Sequence, residues 1–97
     1  MCDTYSLDVS AIEDYIKKVK DKNIKEQIKK KIHAVKENPY IGATKTGRIK
    51  NHRTVKVNKQ KIVILYIIEE KDCMVIFINI GDHDEVYSRT YGKNKGY

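Results

Sequence analysis

Three residues of types that move protons or hold a phosphate stand out in this chain: Lys56, His83 and Tyr87. Histidine titrates near neutrality and can take or give a proton. A tyrosine or lysine set among cations can have its pKa depressed enough to exchange one. An aromatic ring can also stack on a base and hold a nucleotide in line for attack. Together these groups could cleave RNA without a metal or other cofactor. A base takes the proton of the ribose 2′-hydroxyl, cations stabilise the charged phosphorane, and an acid protonates the leaving oxygen. Each residue also has a plainer reading: Lys56 as a solvated charge, His83 as a turn residue, Tyr87 as a packing group at a strand end.

The elements that would position them centre on the stretch from Lys61 to Tyr87, KIVILYIIEEKDCMVIFINIGDHDEVY. It holds two apolar blocks, residues 62–68 and 73–80, separated by Glu69-Glu70-Lys71-Asp72. Both are rich in β-branched and aromatic side chains, so each reads as a strand, and the short charged connection makes them an antiparallel hairpin. Their lack of alternation predicts strands covered on most of both faces. The second block ends in Gly81-Asp82-His83-Asp84-Glu85-Val86-Tyr87, which delivers His83 and Tyr87 to the edge of a sheet.

Upstream, residues 4–9 alternate and predict a short half-buried strand. Ser10 and Glu13 have capping-box spacing and open a helix carrying Ile12, Tyr15, Ile16 and Val19 on one stripe. After a break near Asp21-Lys22, the segment Asn23-Ile24-Lys25-Glu26 repeats the start signal. Ile24, Ile28, Ile32 and Val35 form a second stripe, which Asn38-Pro39 ends. His33 on this helix reads as a partly exposed histidine with no nearby ligand. Residues 40–50 have no periodicity and read as a loop, and residues 51–59 alternate again as a strand with Val55 and Val57 on one side. The order strand, helix, helix, three strands predicts a two-layer α+β domain. A helical hairpin covers one face of a mainly antiparallel sheet, and Lys56 projects from the opposite, open face. Residues 1–97 form a single domain in this reading, with 88–97 as a fraying tail.

Charge adds a direction. The net charge is +7, and no acidic residue occurs from position 38 to 68. Lys45, Arg48, Lys50, Arg53, Lys56, Lys59 and Lys61 fall in that interval with His52, a footprint suited to a polyanion. Arg48, Lys50 and Arg53 would flank the Lys56–His83–Tyr87 constellation, with Arg89 within reach. The two cysteines, Cys2 and Cys73, have no partners at metal-ligand spacing. The expected state is a reduced cytoplasmic protein with one buried thiol, a Cys2–Cys73 bridge being neither indicated nor excluded. The N-terminus is expected to carry no signal peptide, and the apolar runs fall short of the ~20 residues of a membrane span.

The element order, the Glu37-Asn38-Pro39 ending of the second helix and above all Ile80-Gly81-Asp82-His83-Asp84-Glu85-Val86-Tyr87 resemble the RelE/ParE toxin superfamily, over residues 5–87. The resemblance implies the toxin of a type II toxin–antitoxin pair, held inactive by a cognate antitoxin that is its route to oligomers. RelE-like members cleave messenger RNA in the ribosomal A site without metal, using basic residues and a C-terminal tyrosine. By motif position Lys56, His83 and Tyr87 would be catalytic, with Lys45, Arg48, Lys50, Arg53 and Arg89 holding RNA. The family's Tyr-Arg-x-x-Tyr pattern is broken here: Tyr66 is kept, but Val63 replaces the arginine. Arg53, Lys61 or Arg89 would then have to supply that cation. The ParE branch, which resembles RelE in fold but poisons DNA gyrase, is the alternative, as is a toxin homologue that binds nucleic acid without cleaving it.

Overall fold

The computed structural model describes residues 2–44 and 52–86. Its elements are β1 (Ser6–Asp8), α1 (Glu13–Lys18), α2 (Lys22–Glu37), a 3-10 turn (Pro39–Ile41), β2 (Ala43–Thr44), β3 (His52–Val57), β4 (Ile62–Glu69) and β5 (Met74–Asp82). The sheet has the order β1-β5-β4-β3-β2. From β5 through β4 and β3 to β2 each strand is antiparallel to its neighbour, whereas β1 runs parallel to β5. The expected α+β class and the three-strand meander are present. The predicted loop contributes β2, a short edge strand paired at Ala43–Thr54 and Thr44–Arg53.

Two local signals were overridden. Ser10 does not cap α1; its hydroxyl donates to Asp8 Oδ1 at 2.7 Å, and α1 starts at Glu13 without a side-chain cap. The second helix starts earlier than Asn23, because Asp21 Oδ1 accepts from the Asn23 and Ile24 amides. A carboxylate there satisfies two exposed amides and suits the helix dipole.

The main core lies between helices and sheet. Ile12, Ile28 and Val35 from the helical layer meet Val55, Ile64, Tyr66, Val75 and Phe77. Tyr66 and Phe77 pack at 5.6 Å between ring centroids, tilted by 47°, an arrangement that adds about 0.5–1.5 kcal/mol to burial. A second, smaller cluster lies on the other face: Val63 and Leu65 are covered by Val86, with Ile78 beside them. β4 is therefore buried on both sides, as its unbroken apolar run requires. The face expected to be open is thus partly roofed by residues 83–86, which are helical.

The expectation of free cysteines is corrected. Cys2 and Cys73 form a disulfide, with Cα atoms 5.6 Å apart across a sequence separation of 71. The parallel pairing of β1 with β5 brings them together, since Ser6 donates to the Cys73 carbonyl at 2.9 Å and stands opposite Met74.

Candidate functional site

Strand register places the predicted parts. Lys56 pairs with Val63, and Val63 pairs with Gly81 on the far side of β4. Directly paired residues share a face, so Lys56, Val63 and Gly81 lie on the face away from the helices. Lys56 is exposed there. Two strand spacings separate Lys56 from Gly81, roughly 10 Å, and His83 follows two residues later at the same end of the sheet.

The chain leaves β5 through Gly81, whose φ of 157° is one that residues with a Cβ rarely adopt. Asp82 Oδ1 then accepts from the Glu85 amide at 2.9 Å, capping the final helical turn. Val86 anchors that turn on Val63 and Leu65, which leaves His83, Asp84 and Glu85 on its exposed side. His83 Nδ1 lies 3.6 Å from Asp84 Oδ1 with both side chains largely exposed, a contact worth little by itself. Val63, in the position of the expected arginine, is fully buried beneath this turn. An apolar residue is what lets the turn seat there.

Arg53 is not brought to Lys56. It pairs with Tyr66, a residue of the helix-side core, so it emerges on the opposite face. Its guanidinium donates to the Gly42 carbonyl at 2.8 Å and the Tyr40 carbonyl at 3.4 Å, and lies 4.8 Å from the Tyr40 ring centre. Tyr66 completes this clamp: its hydroxyl donates to the Pro39 carbonyl at 2.6 Å and accepts from the Gly42 amide at 3.0 Å. Burial raises the Tyr66 pKa, with the Gly42 bond and the Arg53 charge acting against it. Any Cβ at position 42 would collide with the Tyr66 hydroxyl and meet the Thr54 carbonyl at 2.9 Å. The clamp therefore holds the start of the basic loop against the sheet. No sequence signal pointed to it, because most of its partners are backbone atoms. Tyr66→Phe should lower stability by about 2–4 kcal/mol, since it strands a buried amide and carbonyl. Denaturant unfolding reads this directly; an unchanged midpoint would mean the clamp contributes nothing.

His52 shares the face of Lys56 but lies four residues back, roughly 13 Å along the strand. Burial lowers its pKa, so the neutral form dominates at pH 7. Lys45, Arg48, Lys50, Tyr87, Arg89 and the 88–97 tail lie outside the described residues. Among the described residues no group of three His, Cys, Asp or Glu side chains could hold a metal ion, and no helix is long and apolar enough to cross a membrane.

Comparison with known proteins agrees with this architecture. The family described as ParE-like toxin of type II bacterial toxin–antitoxin system matches residues 7–90. A free-state structure of an E. coli RelE toxin with two arginines changed to alanine is 27% identical, with a TM-score of 0.70, covering 91% of this chain and 95% of that one. RelE in the intact E. coli RelBE toxin–antitoxin complex is 25% identical, with a TM-score of 0.68, covering 80% of this chain and 95% of that one. A conserved hypothetical protein of Helicobacter pylori, 12% identical, shares the fold at a TM-score of 0.52, over 84% of this chain and 98% of that one. A search of curated proteins finds no match.

Proposed function

Because this chain belongs to the ParE-like toxin family of type II bacterial toxin–antitoxin systems, we propose that it is a ribosome-dependent endoribonuclease acting on messenger RNA. The observation that carries this reading is the placement of Lys56 and the Gly81–His83 strand end at one end of one sheet face. RelE itself, which this chain resembles at 27% identity, supports the choice between branches.

In this mechanism the ribose 2′-hydroxyl attacks the adjacent phosphate and loses its proton to a base. The 5′-oxygen leaves with a proton from an acid, giving a 2′,3′-cyclic phosphate and a 5′-hydroxyl. His83 and Tyr87 supply the base and the acid, and Lys56 stabilises the phosphorane charge. Lys45, Arg48, Lys50 and Arg89 hold the RNA backbone. Arg53 contributes by fixing Tyr40 and Gly42, ahead of Lys45, Arg48 and Lys50 in the chain, since its donors already engage their carbonyls. A cognate antitoxin, in the manner of the RelB partner in the RelBE complex, is expected to be acidic and to cover the basic face.

Val63 favours a second reading, a ParE-like gyrase poison. The position of the family's phosphate-binding arginine is apolar and sealed under Val86. Induced expression of wild type and Tyr87→Phe, with transcript ends mapped, decides between them. New ends that vanish in Tyr87→Phe support the nuclease. Growth arrest without new ends, together with inhibited supercoiling by gyrase, would replace it with the second reading.

A further inference from the structure

A groove of about 440 Å³ lies at the β3 edge, between α2 and the turn joining β3 to β4. One wall is a stripe of α2: Gln27, Lys30, Lys31 and Ala34 follow at the i, i+3, i+4, i+7 spacing of a single helix face. The other wall is Lys56 with the turn residues Asn58, Lys59 and Gln60. Among the described residues the groove thus gathers four lysines and no carboxylate. None of the four makes an ion pair among the described residues.

The turn is held in an unusual shape. Asn58, Lys59 and Gln60 have φ values of 54°, 56° and 70°, three successive side-chain-bearing residues in the left-handed region. Such conformations cost on the order of 1–3 kcal/mol each and persist only where the surroundings enforce them. Gln27 does so from α2, its Oε1 accepting from the Asn58 amide at 2.9 Å. Glycine would relieve the conformation, yet the chain keeps a lysine at its centre. This hydrogen bond ties α2 to the turn, and Lys59 lines the same groove as Lys30 and Lys31.

We propose that this groove is a second RNA subsite, holding the phosphate backbone of a single strand beyond the scissile bond through Lys30, Lys31 and Lys59. Among the described residues its charged lining is four lysines, with Ala34 and Val57 as the apolar residues, a charge that matches a polyanionic strand. Ammonium groups act as point charges without a directional fork, which suits contacts to phosphates independent of sequence. Lys56 borders both this groove and the proposed cleavage site, so one strand can pass from one to the other. The inference rests on the nuclease reading for the identity of that strand, but its test does not require cleavage.

Binding of a single-stranded RNA oligonucleotide is measured by fluorescence anisotropy across salt concentrations. Each lost phosphate contact lowers the slope of log affinity against log salt by about 0.7. The triple variant Lys30→Gln, Lys31→Gln, Lys59→Gln should therefore lose about two units of slope and about 10²-fold in affinity near 0.1 M salt. The corresponding triple change to arginine should retain binding, which separates loss of charge from loss of fold. A control triple, Lys17→Gln, Lys18→Gln, Lys25→Gln, makes the same change in net charge outside the groove and should lose little. Equal losses in the two glutamine triples, or none in the first, would overturn the proposal. Wild-type protein that cuts no message while the groove triple still loses slope would remove the nuclease reading and leave the subsite standing. Cleaving protein whose groove triple binds RNA normally would do the reverse.

Discussion

Reduction of the Cys2–Cys73 disulfide should lower the thermal midpoint of this protein by about 20 °C. The bridge closes a loop spanning a sequence separation of 71, and on the chain-entropy account such a closure stabilises by about 4 kcal/mol, acting mainly on the unfolded chain. For a domain of this size each kcal/mol moves the midpoint by about 4–8 °C. Contacts that do not involve the sulfur atoms also join the two segments: Tyr5 donates to the Glu70 carboxylate at 3.1 Å, and Ser6 donates to the Cys73 carbonyl at 2.9 Å. The expected loss is therefore one of stability rather than of fold. Melts with and without reductant test this, and Cys2→Ala/Cys73→Ala should match the reduced wild type and ignore the reductant. A shift of only a few degrees would show that the unfolded chain is compact enough to make the bridge thermodynamically silent.

Lys56→Met should slow single-turnover cleavage by about 10²–10³-fold, the range seen when one oriented stabiliser of a charged transition state is removed. That corresponds to about 2.7–4 kcal/mol of barrier. The effect should be this large because the neighbours of Lys56 on its face cannot replace it. Val63 and Gly81 carry no charge, and Arg53 emerges on the other side of the sheet, tied to the Tyr40 and Gly42 carbonyls. Folding should be nearly unaffected, since Lys56 is exposed and substitutions at such positions usually stay within about 0.5 kcal/mol. Lys56→Arg, which keeps a cation at the same place, should recover much of the rate. A methionine variant that cuts within threefold of wild type would remove Lys56 from the mechanism and return it to a solvated charge.

The two effects concern opposite ends of β5. The bridge ties its start to β1, whereas Gly81, Asp82 and His83 leave its end beneath the proposed scissile phosphate. Between them lies the β4–β5 hairpin, in which β4 is buried on both faces while β5 alternates between buried and half-buried residues, a support for groups that must be held in place to act.

Much of this was present in the chain itself. The hairpin, the helix stripes and the stop at Asn38-Pro39 follow from periodicity and backbone chemistry among near neighbours. The face of Lys56 followed from alternation with Val55 and Val57. Its position across from the end of β5 followed from the meander. Four features depended on the fold as a whole. The disulfide required β1 to lie parallel to β5, and no local pattern states which strand a short edge segment will join. Arg53 reads as one more loop-side cation until Pro39–Gly42 folds back, because what it binds are carbonyls that every residue carries. Val63 reads as the loss of a cation until Val86 covers it. The Lys30–Lys31–Lys59 groove joins residues from α2 and a distant turn, each of which alone reads as solvated surface. Periodicity reports which side of an element is apolar; register and packing decide which elements meet, and through them which charges share a site.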